Sequence, residues 1–249
     1  MPRTHKTLPR LFLDAPLMQG GAVALDKDQT NYLLNVLRRR SGDAVVVFNG
    51  RDGAFLAAIE QLSKKTVGLS LGERTAAQTA PSDLWYGFAP LKSARLDYVV
   101  QKATEMGAGI IQPVITRHTQ LTRINLDRLR ANAREAAEQC EVLSIPRIDD
   151  EIGLRELLAT WQDIHGDRQL VFADEGEEAA SPVAALAAIE GRRIGLLIGP
   201  EGGFSDDERE LLRAQAFVVP ISLGPRILRA DTAAVAALAV IQSIIGDWR

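Results

Sequence analysis

The 249-residue sequence predicts an α/β protein in two parts, a small β-rich domain followed by a larger domain built on a parallel sheet. Three observations carry this reading. β-like runs separated by glycine turns fill the first 75 or so residues, and from residue 84 onward short apolar runs alternate with amphipathic helical stretches. The charge balance also changes sign at the low-complexity stretch 75–81. Residues 1–75 hold 11 Lys/Arg against 7 Asp/Glu, a balance of +4, while the remainder stands at -7. The N-terminal part is thus the basic one within a chain of net charge -3. Phosphate backbones attract such a surface through counterion release, and an ordinary solvated face can show the same excess.

The elements follow in order. Residues 29–39 carry a helical pattern, Ser41-Gly42-Asp43 turns the chain into a strand at 44–48, and Asn49-Gly50 with Gly53 separates that strand from another at 54–59. A third β-like run, 66–71, follows Ser63-Lys64-Lys65. Arg38-Arg39-Arg40 closes the helix, where cations complement the macrodipole, so helix capping and RNA contact both account for the cluster. In the second part Leu96, Val99, Val100, Ala103 and Met106 recur at helical spacing as core residues, and Gly107 supplies the stop before a strand at 110–114. Helices at 126–139 and 152–161 precede a strand at 168–172 that ends in Ala173-Asp174-Glu175-Gly176, after which Ser181-Pro182 opens another helix.

The most informative segment is the buried-strand pattern 193–198, which runs straight into Gly199-Pro200-Glu201-Gly202-Gly203-Phe204. Ser205 and Glu208 then form the spacing of a capping box, so the order is strand, glycine loop, helix. Such a loop lets a ligand approach the main chain; a merely tight turn is the plainer alternative. A second turn of this kind lies near residue 224: a strand at 221–223 breaks at Gly224-Pro225, and Arg226-Ile227-Leu228-Arg229 leads to Asp231-Thr232, the expected cap of a helix at 233–245. Ligands of open parallel sheets sit beyond the carboxyl ends of strands, so two glycine turns on neighbouring strands imply one shared crevice. Arg226, Arg229 and Glu201 suit polar recognition there, with surface salt bridging as the alternative.

Other chemistries are disfavoured. There is no phosphate-loop motif, and the Gly199 to Gly203 spacing is not that of a dinucleotide-binding turn. The single cysteine, Cys140, excludes an internal disulfide, and His5, His118 and His165 lie too far apart for a short metal-ligand motif, so no metal is expected. No apolar run approaches the roughly 20 residues that span a bilayer, and the first ten residues are charged where a secretory signal is apolar; no membrane association and a cytoplasmic location are expected.

Three motifs in order, Ile198-Gly199-Pro200-Glu201-Gly202-Gly203-Phe204-Ser205, Leu223-Gly224-Pro225-Arg226-Ile227-Leu228-Arg229 and Gln101-Lys102-Ala103-Thr104-Glu105-Met106-Gly107, resemble the RsmE family of ribosomal RNA methyltransferases. The likeness extends to Arg10-Leu11-Phe12, Val36-Leu37-Arg38 and Glu135-Ala136-Ala137-Glu138-Gln139-Cys140, and so covers essentially the whole chain. The resemblance implies a PUA-like RNA-binding β-barrel over residues 1–74 and, over 75–249, a SPOUT-type trefoil-knotted domain, acting as a homodimer on small-subunit ribosomal RNA. It also implies methylation of uridine N3 with S-adenosylmethionine as donor, the alternatives being a related methyltransferase acting on another RNA or position and a catalytically silent RNA-binding assembly factor. Cofactor-binding positions then fall on Ile198, Gly199, Pro200, Glu201, Gly202, Gly203, Leu223, Gly224, Pro225, Arg226, Ile227 and Leu228, with the strand end at Phe172 and Ala173 as a third wall. RNA contacts fall on Arg10, Arg38, Arg39, Lys92 and Arg123, the last in service of the neighbouring subunit.

Two departures from the family pattern stand out. Ala230-Asp231-Thr232 occupies the place of the family's Glu-Thr, which keeps a carboxylate on a shorter arm, and no arginine follows Gln139-Cys140. In catalysis a sulfonium methyl is already activated, so the protein mainly aligns the reactants and favours the deprotonated base. Arg229 is the first candidate to stabilise the developing negative charge, Arg226 the second, and Glu201 is the carboxylate that orients the cofactor or receives the proton.

Overall fold

A computed structural model describes residues 8–61, 66–120, 123–174 and 181–248. The chain divides into two compact units, Met1–Ala80 with Ala137–Ile145, and Pro81–Ala136 with Pro146–Arg249.

The first unit contains β1 (Arg10–Phe12), β2 (Ala22–Ala24), the short helix α1 (Lys27–Asn31), a π-helical turn (Tyr32–Val36), β3 (Ala44–Phe48), β4 (Ala54–Gln61) and β5 (Val67–Ala76). The sheet order is β1-β3-β4-β5-β2, antiparallel except where β1 pairs with β3. Because side chains alternate along a strand, β3 feeds two clusters: Val45 and Val47 join Leu13, Leu33, Ile59 and Leu69, while Val46 and Phe48 pack with Ala54, Ala137 and Leu143. Residues returned from later in the chain therefore cover the second face of the strand. Among the expected elements, the hairpin of β3 and β4 is present with its register, Val46 opposite Leu56. The lysines expected to precede the third strand, Lys64 and Lys65, lie outside the described residues.

The expected helix 29–39 starts earlier and ends sooner. Asp26 and Gln29 form a reciprocal capping box, so the helix opens at Lys27. It then widens into the π-helical turn, in which the Leu37 amide donates to the Tyr32 carbonyl at 2.9 Å. Arg38 follows with φ at +54°, the left-handed conformation that usually closes a helix with glycine. The three arginines thus lie beyond the helical turns. Arg38 and Arg40 are exposed and Arg39 is half-buried.

The second unit runs β6 (Trp85–Phe88), α2 (Ser93–Glu105), β7 (Ile110–Ile115), α3 (Leu126–Gln139), β8 (Arg147–Ile148), β9 (Ile152–Gly153), α4 (Leu154–His165), β10 (Gln169–Ala173), α5 (Pro182–Ala187), β11 (Ile194–Ile198), α6 (Asp206–Arg213), β12 (Val218–Ile221) and α7 (Ala230–Ile244). The order is β12-β10-β11-β6-β7-β8 with every pairing parallel, and β9 adds to β7. All strand C-termini consequently open onto one edge. The strands that lead into the two glycine turns, β11 and β12, are not neighbours as expected from sequence, because β10 lies between them. β12 also lies further upstream than the expected strand 221–223. As an edge strand it tolerates Pro220, which cannot donate to a ladder, and the chain leaves the sheet after Ile221.

Helix α7 begins at Ala230 with Arg229 at the cap position, so Asp231 and Thr232 fall in its first turn instead of preceding it. The capping box of Ser205 and Glu208 at the start of α6 is as expected. Ser181 occupies the cap position of α5 ahead of Pro182, without a side-chain hydrogen bond.

The core of this unit centres on Trp85 and Trp161, both fully buried, edge to face with ring centroids 5.0 Å apart. Room for them comes from glycine: a Cβ at Gly87 would stand 2.0 Å from the Trp85 ring, and one at Gly195 2.9 Å from that of Trp161. The N-terminal edge of the sheet is tied by charge. Asp83 receives hydrogen bonds from Arg193 at 2.7 Å and from the fully buried Arg168 at 2.6 Å, and Arg168 also donates to the Ile194 carbonyl at 2.8 Å. The Arg193 hydrogen bond, reinforced by Arg168, holds the Asp83 carboxyl down to about 2. His165 packs 4.2 Å from the Trp161 ring, and burial pushes its imidazole down to about 4, so it stays neutral at the C-terminus of α4. Among the described residues no helix is long and apolar enough to cross a membrane, and no group of His, Cys, Asp or Glu side chains is arranged to hold a metal ion.

Candidate active site at the strand ends

Three strand ends build one cavity. From β11 the chain enters the first glycine loop, closed by a hydrogen bond from the Gly203 amide to the Pro200 carbonyl at 2.9 Å, with Gly203 in the left-handed region at φ +68°. The capping box then starts α6. The second carboxylate oxygen of Glu208 accepts the Arg117 amide at 2.8 Å, which fixes the loop after β7 beside the glycine loop. His118 on that same loop places Nδ1 3.1 Å from the Gly203 carbonyl.

From β12 the chain enters the second turn, where Gly224 has φ +100° and its amide donates to the Ser222 hydroxyl at 3.3 Å. The middle strand, β10, ends at Ala173 and Asp174 and supplies a third wall. The Asp174 side chain is 1% exposed and accepts both Arg213 Nη2 at 2.7 Å and Nε at 3.0 Å. A carboxylate is thereby buried at low cost, since its charge is matched across two hydrogen bonds.

The cavity between these walls has a volume of about 610 Å³. It is lined by Ile198, Gly199, Pro200 and Gly203 from the first loop and by Leu223, Gly224, Pro225, Arg226, Ile227 and Leu228 from the second. The structure thus brings together most of the residues expected to hold a cofactor. Two of them lie outside the lining. Glu201 turns its carboxylate to Arg95 on α2, and Gly202 faces the His118 side chain, to which a Cβ would make ordinary contact at 3.5 Å.

Sequence reading anticipated Ala173 as a wall but assigned no role to Asp174, Arg209, Ser222, Ala230 or Ala233, which also line the cavity. The strand end after β10 was a usable signal for Asp174. Nothing in the local pattern marked Arg209, which arrives from α6.

The remaining candidates are placed as follows. Arg226 is exposed and lines the cavity, whereas Arg229 is exposed at the cap of α7, outside the lining. Lys92 is exposed at the cap position of α2, and Arg123 is exposed in the loop before α3. In the first unit, the Arg10 guanidinium lies 5.2 Å from the centroid of Phe48. Burial lowers its pKa, and Glu141 and Glu138 partly offset that effect. Arg38 and Arg39 are on the segment after the π-helical turn described above.

The cavity's chemistry is specific. Its described walls are aliphatic side chains, the Phe204 ring, the Ser222 hydroxyl and main chain, Arg209 and Arg226 contribute positive charge, and the one carboxylate among the described lining residues, Asp174, is paired with Arg213. A mid-sized ligand with a flat apolar part and an anionic end suits such a site.

The family profile described as RNA methyltransferase domain matches residues 78–242, and that described as RNA methyltransferase PUA domain matches residues 25–71. The chain is 32% identical over 235 residues to the ribosomal RNA small subunit methyltransferase E of Rickettsia conorii, covering 94% of each chain. It is 28% identical over 226 residues to the Bacillus subtilis protein of the same name, covering 86% of this chain and 87% of that one. A crystal structure of ribosomal RNA small subunit methyltransferase E from Neisseria gonorrhoeae, bound to S-adenosyl methionine, aligns with a TM-score of 0.86 at 27% identity, over 97% of this chain and 100% of that one. A Legionella pneumophila methyltransferase structure with bound cofactor SAM aligns with a TM-score of 0.82 at 28% identity, over 95% and 97%. The expected fold class, a SPOUT-type parallel-sheet domain preceded by a small PUA-like β domain, is borne out.

Proposed function

The chain belongs to the ribosomal RNA small subunit methyltransferase E family, and from that premise we propose that it transfers a methyl group from S-adenosylmethionine to N3 of a uridine in small-subunit ribosomal RNA. The observation that carries the reading is the cavity at the C-terminal ends of β10, β11 and β12, walled by two glycine turns. Its residues fit the cofactor. The aliphatic walls of Ile198, Leu223 and Leu228 suit an adenine ring, main chain exposed at the glycines suits its polar edge, and Arg209 suits a carboxylate.

When bound, S-adenosylmethionine supplies a methyl group already activated by its sulfonium. The protein's tasks are then alignment and charge. A bond forms between uracil N3 and the methyl carbon as the bond from carbon to sulfur breaks, and the N3 proton leaves to solvent. To Arg226, on the cavity wall, we assign stabilisation of the negative charge spread over the uracil carbonyl oxygens, which favours loss of that proton. Arg229, the first candidate on sequence, sits at the adjoining helix cap outside the described lining and becomes the second candidate for this role. Glu201 orients the loop through Arg95, in keeping with its ion pair.

We assign the N-terminal domain, expected over residues 1–74, to RNA binding and that expected over 75–249 to the methyltransferase domain, although the boundary at 74 falls within β5 and Ala137–Ile145 groups with the first unit; the protein works in the cytoplasm on ribosomal RNA or the small ribosomal subunit. Exposed Arg38, with Arg39 beside it, supports phosphate contact by the first domain, and Arg10, Lys92 and Arg123 are the further contacts assigned. Each lost phosphate contact reduces the slope of log affinity against log salt by about 0.7–0.9. The Arg38→Ala, Arg39→Ala double variant is therefore expected to flatten that slope by up to about 1.4–1.8 without changing cofactor affinity. An unchanged slope would remove this segment from the RNA surface.

The homodimer assignment rests on α7. Ala233, Ala234, Ala237, Leu238 and Ile241 are buried within the subunit, whereas Val235, Ala236, Ala239, Val240, Ile244 and Ile245 remain partly exposed as an apolar face. Leu238 is fully buried in the subunit, so a charge there tests folding; Val235 is the informative position. Val235→Lys is expected to yield a folded monomer with at least tenfold lower turnover, and light scattering that finds a fully active monomeric wild type would exclude the dimer.

The test of the function itself is mass spectrometric mapping of methylated nucleosides in ribosomal RNA from cells with and without the gene. Loss of one 3-methyluridine in the small-subunit RNA is the expected result, and an unchanged small-subunit profile overturns the proposal.

A further inference from the structure

Arg95 stands in the first turn of α2, where the helix macrodipole favours anions, and that turn contains no acidic residue. A cation at this position opposes the local field, so a reason for it must come from its tertiary partners. Two carboxylates supply one. Arg95 Nη1 pairs with Glu201 in the middle of the first glycine loop, and its Nε stands 3.9 Å from Asp231 Oδ2 in the first turn of α7. Glu201 belongs to the segment between β11 and α6, and Asp231 follows directly on the segment between β12 and α7. One guanidinium thus reaches both segments that wall the cavity, from a third element that contributes none of the described lining residues.

We propose that Arg95 is a positioning residue that holds the two glycine turns in their ligand-ready arrangement. The planar fork matters, because an ammonium has no second, rigidly spaced donor edge with which to engage both carboxylates. Arg95 and Glu201 are each 39% exposed, and pairs this exposed add little to global stability. The effect is therefore local: two loops that would otherwise lose conformational freedom on ligand entry are ordered beforehand. As the pair is half in solvent, salt weakens it. Glu201 is in turn kept directed away from the cavity.

The inference rests on the cavity being the S-adenosylmethionine site, and its test separates the two claims. Amide hydrogen exchange of the ligand-free full-length protein is compared for wild type, Arg95→Ala and Arg95→Lys, followed by calorimetric titration with S-adenosylmethionine. Arg95→Ala is expected to speed exchange in both 199–204 and 224–231 while the β-strand amides of the second unit are unchanged. It is also expected to weaken cofactor affinity by about tenfold through lost preorganisation. Arg95→Lys should restore protection at 199–204 more than at 224–231. In a Glu201→Gln, Asp231→Asn background the same arginine replacement should change little further, and this background carries the test if Arg95→Ala fails to fold. Unchanged exchange, faster exchange in one segment alone, or additive losses in the cycle overturn the proposal. If both segments loosen but wild type itself takes up no S-adenosylmethionine, the positioning role stands and the cofactor assignment falls.

Discussion

Gly199→Val lowers affinity for S-adenosylmethionine by roughly 10- to 100-fold while the protein remains folded, which is the first of the two largest effects expected. Gly199 follows β11 directly, and a Cβ on it would stand 2.9 Å from the Phe204 ring. That ring is 6% exposed and packs edge to face on Phe172, at 5.9 Å between centroids, so it has little room to withdraw. Forcing extra atoms into a packed site costs about 1–3 kcal/mol, and here the displacement falls on two residues of the cavity wall. Gly202→Val is the matched control. Its Cβ meets only the exposed His118 at ordinary contact distance, so its effect should stay within about threefold. Calorimetry on folded Gly199→Val that returns the wild-type dissociation constant would remove the first loop from the cofactor site.

Arg226→Ala is expected to reduce kcat by about 10²–10³, the loss that follows removal of one preorganised charge-stabilising donor. Affinity for cofactor and for RNA should move by only a few fold, because the charge that Arg226 stabilises develops during deprotonation and transfer. The defect should shrink as pH rises, since solution then supplies more of the deprotonated base without help from the guanidinium. Arg226→Lys should recover part of the rate by keeping the charge without the fork. Arg229→Ala provides the comparison, from the cap of α7 outside the cavity lining. Should Arg229→Ala carry the larger loss with the pH signature, the roles of the two arginines are exchanged; should neither variant slow transfer in single-turnover assays, no arginine of this segment serves the reaction.

Legibility of the fold varied with how local its cause was. The Ser205 and Glu208 capping box is a matter of four consecutive residues and read directly from sequence, as did the limits of α3 and the hairpin of β3 and β4. β6, the sequence Trp85-Tyr86-Gly87-Phe88, offers no alternation because both its faces are buried between β11 and β7, and it was not singled out. The order of strands was equally hidden. That β10 separates β11 from β12 depends on pairing Leu170 with both Gly195 and Val218, contacts across 25 and 48 residues that no window detects. Both glycine turns were legible because backbone approach demands glycine, while Arg95 was not, since its meaning lies in two carboxylates more than a hundred residues away.

The placement of β10 between the other two strands also governs when the cavity can come into being during synthesis. Its lining extends from Ala173 to Ala233, with the middle wall made first, the first glycine loop next and the second loop last. At translation rates of about 5–20 residues per second, several seconds separate the emergence of the first wall from that of the last. Throughout that interval the growing polypeptide carries part of a pocket and cannot yet be stabilised by small-molecule binding, because mass action rewards only a completed site. Truncation that removes the second turn therefore leaves no complete site for binding to stabilise, and methyl-donor supply acts as a stabilising partner only once both turns have been made.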